Sequence, residues 1–464
     1  MDKRLRKREP MPLARPGSTR RRGTTAALLA VLVVAGCGVP ARLQPAPPDP
    51  VCAGFERYGD LSGTTVTVVE PVPGGEPGIE PGAGGGRRIG GYDTFTRCTG
   101  ARIEHRDAPS STDLVRPGEP PPDLGYLPDA AALTDLVRRT GGVRPAPLPV
   151  AANVAEFYPE TYRAAGSVDG TLYAAPLDAT VKSLVWYSPR VFAERGYPVP
   201  TSWDGLLALS GRMVADGATP WCTGTAAAPA TGAALVDDLE HALLRSAGPE
   251  IFDAWVGHAI PVDSPQVVAA LAEVGGLLPK SAVVDGGPAD AAGTPAPDGA
   301  RPVLSGGCLM HRADDRYPGS RPTGTRIAAD GDLFAFPLPP GDPAAGPVAV
   351  VGGGFVVAFT DRREVQALHA YLSTPDWAAT VARTAGRDWV SPNGGLDPAA
   401  PAEPVQRLVL GLLQDPRGTL RYDGSDRMPL VVGSGALPQA LSSWLTGATD
   451  PADALAPAEA AWPR

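Results

Sequence analysis

The chain has 464 residues, of which 43% are hydrophobic. That is enough for a sizeable core and for two or three domains of ordinary size. Its formal net charge of −9 is unevenly divided: residues 1–36 carry nine basic and two acidic groups, and the remainder carries 32 basic and 48 acidic ones. A body that acidic is repelled by phosphate backbones, which excludes nucleic acid as a partner.

The first element is an address. Arg20, Arg21 and Arg22 precede an apolar run from Ala26 to Gly36, far short of the roughly 20 residues that span a bilayer as a helix. A basic head, a short apolar centre and small residues before a cut site make residues 1–36 a secretory signal. Cys37 directly after Val34-Ala35-Gly36 resembles the bacterial lipobox. That resemblance implies a diacylglycerol on the Cys37 thiol and a new N-terminus there, with two acyl chains holding the product stably at the membrane. The Pro-rich, polar start of residues 37–59 is expected to be a lipid-anchored tether. Four cysteines remain, Cys52, Cys98, Cys222 and Cys308. In an exported chain they suggest two disulfides, with three connectivities open, and their spacings match no zinc pattern.

Thr64–Glu70 is β-branched between Gly63 and Pro71 and reads as a buried strand. After a Gly/Pro stretch to Gly91 come a helical turn over 92–100, a strand near 101–105, a short strand over 121–127 and a helix over 129–139. Residues 170–188 read as a hairpin-like turn and then a long apolar strand. Helices are expected at 190–195, 203–216, 237–247, 249–258 and 265–278, followed by a Gly/Pro linker over 284–302. The runs "LFAFPLPP" and "AVVGGGFVVAF" (349–359) give two more strands. Helices at 364–372, 377–384, 401–413 and 438–445 complete the order. Strands alternating with helices, without a repeat, indicate an α/β fold.

Motifs for chemistry are missing. The sequence has no HExxH, no P-loop, no GxGxxG after a strand and no GxSxG. Its five histidines are scattered, and its acid pairs are adjacent, so they do not face one site on a helix. No enzyme, metal or cofactor is expected.

From Val181 to Arg212 the sequence "VKSLVWYSPRVFAERGYPVPTSWDGLLALSGR" resembles the family 1 extracellular solute-binding proteins, the binding components of ABC sugar importers. The resemblance continues in order through "VADGATPWCTG", "GGCLMHR", "VGGGFVVAFTDRREVQALHAYLSTPDWA", "WVSPNGGLD" and "RYDGSDRMP", nearest to the α-glucoside-binding branch. It implies a two-lobed, periplasmic-binding-protein-like α/β fold with a hinge of crossing strands and a ligand cleft between the lobes. Lobe 1 is expected over 60–175 plus 335–395, and lobe 2 over 176–334 plus 396–464. In that branch the cysteines of "TPWC" and "GCLMHR" lie close together, which implies Cys222–Cys308 and hence Cys52–Cys98.

Sugar clefts use aromatic faces for stacking and planar polar side chains for paired hydroxyls. The family-matched candidates are Trp221, Asp237, Glu240, His311, Arg312, and the backbone of Gly353, Gly354 and Phe355. Lys182 is expected to make a salt bridge across the hinge. Three positions depart from the pattern: Ala233 and Asp238 stand where the family carries tryptophans, and Leu309 where it carries an aromatic. The expected function is a monomeric, lipid-anchored extracellular binding component of an ABC importer, working with permease subunits and taking an oligosaccharide or related polyol. The alternative is a lipoprotein of the same fold with a degenerate cleft, acting as a surface sensor or protein-interaction module.

Overall fold

A computed structural model describes residues 50–71, 90–116, 118–222, 232–277, 301–317, 322, 324–342, 344–384, 389–447 and 449–463. The signal segment, Cys37 and most of the Gly/Pro stretches at 71–91 and 284–302 lie outside the described residues.

The β-branched run forms β1 (Thr65–Pro71), with Val66 and Val68 fully enclosed. Parallel neighbours flank it: β2 (Arg102–Ala108) and β3 (Leu124–Leu127). The polar sequence of β2 fits its place at the sheet edge, where one side meets water. β13 (Phe355–Ala358) and β6 (Ala174–Pro176) complete a sheet of order β2-β1-β3-β13-β6. The hairpin expected near 170 is present as β4 (Ser167–Val168) and β5 (Thr171–Leu172). Asp169 and Gly170 both take positive φ between them, the conformation a two-residue hairpin turn needs.

The second lobe rests on two smaller sheets. One has the order β11-β8-β10-β9, formed by Phe334–Pro337, Leu184–Tyr187, Met310–Ala313 and Trp221–Cys222. The other has the order β14-β12-β7, formed by Thr419–Tyr422, Val348–Gly352 and Thr180–Val181. Helices Ala233–Ala247, Pro249–Val256, Pro265–Leu277, Leu437–Leu445 and Pro451–Ala460 share an apolar cluster around Trp255 and Leu271. Helix Trp203–Ala215 packs on β8 and β10 through Leu206, Leu209 and Met213. The first lobe's core continues through the crossing strands as far as Trp186 and Tyr422. The architecture is α/β and two-lobed, as expected.

Four differences from the sequence reading have physical causes. The long strand expected before residue 188 is three short ones, β6, β7 and β8, each hydrogen-bonded in a different sheet. A segment that changes sheets cannot keep one register, and Asp178 and Lys182 occupy its two breaks. The run 349–359 is likewise split into β12 and β13 at Gly353, where φ is 135°. β11 and β12 belong to the second lobe, so the chain returns to the first at Gly353–Gly354 and not at the expected 334/335 boundary. Finally, the tether expected through residue 59 gives way to folded chain at Pro50. Phe55 and Tyr58 are buried against Phe95 and Tyr371, and burying such a side chain contributes about 1.5–3 kcal/mol. Cys52–Cys98 fastens this segment and Cys222–Cys308 joins β9 to the entry of β10, with Cα atoms 5.2 and 5.4 Å apart. Both pairings are the expected ones.

Helix Leu148–Phe157 carries no sequence expectation. Only Val150 and Val154 are buried along it, too few apolar repeats to reveal a helical period. At Gly353 a Cβ atom would run into the carbonyl of Asp178. Gly353→Ala is therefore expected to cost about 2–4 kcal/mol through forbidden backbone geometry and overpacking, read as a lower urea midpoint with an unchanged slope.

Candidate functional site

Two groups of polar side chains collect where the chain crosses between sheets. The first centres on Lys182, between β7 and β8. Its Nζ donates to Asp237 Oδ1 at 3.0 Å and to Asp423 Oδ2. Asp237 lies on helix Ala233–Ala247, and Asp423 follows β14, so one ammonium ties three elements together. Asp423 is enclosed and also accepts from Ser425 Oγ at 2.6 Å and the Asp426 N–H at 3.0 Å. Glu240, one helical turn beyond Asp237, clamps the same loop by accepting the N–H groups of Gly424 and Ser425 at 3.0 and 2.8 Å. Asp426 is partly exposed, and Asp129, the N-cap of helix Ala130–Thr140 in the first lobe, acts on it electrostatically.

Several carboxyls around one ammonium cannot all ionise. Burial pushes Glu240 well up, helped by Asp423, and pushes Asp426 well up, helped by Asp423 and Asp129. Burial likewise moves Asp237 up to about 7 against the pull of Lys182. Asp423 alone is held below its ordinary range: burial raises it, but Lys182 and its hydrogen bonds outweigh that. The side chain of Asp237 remains 29% exposed, so it meets solvent at the crossing.

The second group centres on Asp178, between β6 and β7. It accepts from Arg316 Nη2 at 2.9 Å, from the Tyr126 hydroxyl at 3.3 Å and from the Gly354 N–H. Tyr126 lies on β3 of the first lobe and Arg316 follows β10 of the second, so Asp178 bridges the two. Beside it, Asp315 accepts the Val181 N–H at 2.6 Å, and burial with the neighbouring Asp314 raises it to about 7.

A pH prediction follows with a definite sign. A carboxyl raised on folding favours the folded state below its unfolded pKa, and that advantage is lost as pH rises through the folded value. Asp237→Asn removes one such proton. The stability of wild type relative to this variant should fall between pH 5 and pH 8. Urea titrations at the two pH values check it; a constant difference would refute it.

The candidates read from the sequence are placed unevenly. Asp237 and Glu240 meet at the Lys182 group, and Lys182 forms ion pairs with Asp237 and Asp423, both on second-lobe elements, so the bridge expected across the hinge is made within one lobe instead. Trp221 does not offer a stacking face: its indole is enclosed by Leu206, Leu209 and Met213, and Nε1 reaches Ser210 Oγ at 3.2 Å. His311 is buried, with Nδ1 2.9 Å from the Cys222 carbonyl, and burial lowers it to about 4. Arg312 pairs with Asp238 at 2.8 Å. The glycine backbone is already engaged: Gly353 O accepts from Tyr422, Gly354 O from Leu177, and the Gly354 N–H goes to Asp178. Phe355 is a core residue.

Sequence reasoning did not single out Asp178, Tyr126, Arg316, Asp423, Asp426 or Asp129. Their signal was faint: Asp178 interrupts an apolar run, and Asp423 and Asp426 lie in "RYDGSDRMP". Among the described residues no group of three His, Cys, Asp or Glu side chains is arranged to hold a metal ion, and no helix is long and apolar enough to cross a membrane.

Comparison with known proteins gives this arrangement a context. The profile described as bacterial extracellular solute-binding protein matches residues 108–379. An osmoprotective compounds-binding protein of Synechocystis sp. (strain PCC 6803) is 31% identical over 376 residues, 81% of this chain and 85% of that one. An alpha-glucosides-binding periplasmic protein of Rhizobium meliloti (strain 1021) is 28% identical over 424 residues, covering 88% and 89%. Among solved structures, a bacterial solute receptor with a preference for β-D-galactopyranose superposes with a TM-score of 0.67 at 16% identity, over 86% of this chain and 98% of that one. Maltose-bound MalE3 of T. maritima gives 0.59 at 19% identity, over 86% and 98%. The relatives are solute-binding proteins, not enzymes.

Proposed function

We propose, because the chain belongs to the bacterial extracellular solute-binding proteins, that it is the lipid-anchored capture subunit of an ABC importer for a small, hydroxyl-dense solute. The observation that carries this reading is the Lys182 group at the crossing of the lobes. Asp237 and Asp426 lie beside an ammonium there and retain some solvent access. A carboxylate accepts two hydroxyl protons in one plane, and a protonated carboxyl both donates and accepts. Such a set suits vicinal hydroxyls.

Stacking contributes less. Trp221 is enclosed, and Ala233, Asp238 and Leu309 replace three further aromatics of the family pattern. Hydrogen bonding without ring stacking favours a sugar–polyol or short oligosaccharide over a long glucan. This accords with one relative named for osmoprotective compounds and another for alpha-glucosides. The ligand set proposed is Asp237, Asp426, Lys182 and Arg316. Glu240, Gly353 and Gly354 shape its floor. Cys37 carries the lipid on the extracellular face, and the protein works as a monomer that delivers solute to permease subunits.

The test is a thermal-shift panel on residues 38–464 with maltose, trehalose, longer α-glucans, glucosylated polyols, free polyols and amino acids. A ligand at 100 times its Kd adds ~2.7 kcal/mol to stability. A shift with short hydroxyl-rich solutes, lost in Asp237→Ala, is expected. Silence throughout, from a protein that melts cooperatively, would favour a cleft-degenerate sensor or interaction module, the reading suggested by the missing aromatics. Cys37→Ser should release the full-length protein into the medium, and continued membrane retention would exclude the lipid anchor.

A further inference from the structure

Helix Ala233–Ala247 has a second polar face that the cleft does not use. Asp238, His241 and Arg245 follow at spacings of three and four residues and so line one side of the helix. That side looks inward to Arg312 on β10 and to Trp203, whose ring lies 3.9 Å beneath the Arg245 guanidinium. The three basic side chains are more than nine-tenths enclosed: His241 is 1% exposed, and the side chains of Arg245 and Arg312 are 6% and 8% exposed. They share a neighbourhood, since both arginines act on His241 and on each other electrostatically.

Their hydrogen bonding is incomplete in one direction. Arg312 pairs with Asp238 through Nη2, leaving Nε and Nη1 without partners. Arg245 Nη2 lies against Glu273 Oε2 as an ion pair without hydrogen-bond geometry, and Nε has no partner. His241 Nδ1 is 2.9 Å from Ser183 Oγ, which already accepts the Val350 N–H at 3.0 Å. The serine proton is satisfied when it points to Nδ1, which puts the imidazole proton on Nε2, and Nε2 also lacks a partner. Burial and the two arginines keep that imidazole neutral, well below its ordinary range. Every orphan on the three basic side chains is therefore a donor, and the one orphaned acceptor beside them, Glu273 Oε2, is already held against Arg245 Nη2, as Asp238 is against Arg312. Buried polar groups are almost always satisfied. A water molecule would fill such a spot poorly, because it brings two further protons that need acceptors. An anion brings acceptor capacity alone.

We propose that Arg312, Arg245 and His241 form a buried site for a small monovalent anion of halide size, beneath the cleft floor of the second lobe. Enclosure by side chains sets the size limit. The same helix carries Asp237 and Glu240 on its adjacent face, so occupancy of this site holds the cleft carboxyls in place.

The test uses the mature protein without any solute. Melting is followed at constant ionic strength while bromide or chloride replaces gluconate, which is too large to enter, and bromide-soaked crystals are measured at the bromine edge. We expect a saturable rise in Tm with halide and one anomalous peak among Arg312, Arg245 and His241. Arg312→Met, which keeps the bulk of the side-chain stem, should weaken halide affinity roughly tenfold or more, as expected for lost hydrogen bonds to a charged group. Arg245→Met serves as the second variant should the first fail to fold, with the same expected loss. No anomalous peak, only water at the site, or a halide response identical in wild type and a folded variant would overturn the proposal. None of these results depends on the identity of the imported solute.

Discussion

Lys182→Met should destabilise the protein by about 3–5 kcal/mol, the range for removing one partner of a buried ion pair. The substitution preserves the stem but strips the ammonium that Asp237, Asp423, Asp426 and Glu240 share. Asp423 suffers most, because its side chain is 1% exposed and Lys182 opposes the upward pressure of burial. Without that cation Asp423 should take up a proton, and its contacts to Ser425 and Asp426 would weaken. Two companions separate charge from shape. Lys182→Arg restores charge but not the point geometry that reaches two carboxylates, and should recover part of the loss. Lys182→Met with Asp423→Asn removes the stranded charge and should be less damaged than Lys182→Met alone. Urea midpoints measure all three. If the double variant were the less stable, the ion-pair account would fail. Solute-dependent stabilisation should vanish in Lys182→Met, since Asp237 would lose its anchor.

The second large effect is expected from Cys222→Ser with Cys308→Ser. Closing a loop with a sequence separation of 86 residues lowers the entropy of the unfolded chain by an amount worth ~4–5 kcal/mol at 25 °C in the chain-entropy model. The bond also fastens β9, a strand of two residues, whose other hold is the burial of Trp221. Among the described residues its pairing with β10 runs through Trp221–Met310 and Cys222–His311, supported by N–H bonds from Leu309 and Met310 to the carbonyls of Thr219 and Pro220. For a chain of this size such a loss lowers Tm by about 5 °C. Differential scanning calorimetry of the paired serine variant checks it. Because Trp221 and His311 flank the bond inside the core, the same variant should show altered tryptophan fluorescence at temperatures well below melting. A variant with unchanged Tm would mean that β9 is held by packing alone.

Much of the scaffold was legible because it obeys simple rules. β1 announced itself by β-branching between Gly63 and Pro71. The helix expected over 203–216 is present as Trp203–Ala215, with Trp203 and Leu206 of the expected face buried but Leu207 and Val214 exposed, because Leu209 and Met213 complete the buried side instead. The disulfides could be paired only through resemblance, since spacing alone left three arrangements. The crossing region resisted reading for a physical reason. Its strands are two to five residues long and serve different sheets, so neither alternation nor continuity survives in the sequence. Asp178 and Asp423 look like loop acids until their partners, 52 to 241 residues away, are seen. Trp221 looked like a stacking platform because residue type was visible and the direction of its side chain was not. Phe55 and Tyr58 were hidden by a Pro-rich lead-in that set the expectation for the whole stretch.

The two polar groups at the crossing have a consequence for how affinity is distributed. Asp178 joins Tyr126 of one lobe to Arg316 of the other, and Lys182 sits one strand further along the same segment. Any rotation of one lobe against the other must lengthen or shorten the contacts of Asp178 to Tyr126 and Arg316, so the balance between conformers is written partly into Asp178 and Tyr126, which lie outside the proposed ligand set. The apparent dissociation constant equals the intrinsic one divided by the fraction of molecules in the competent conformer. Natural variation at Asp178 or Tyr126 could therefore retune the concentration at which this protein loads while leaving its choice of cargo unchanged.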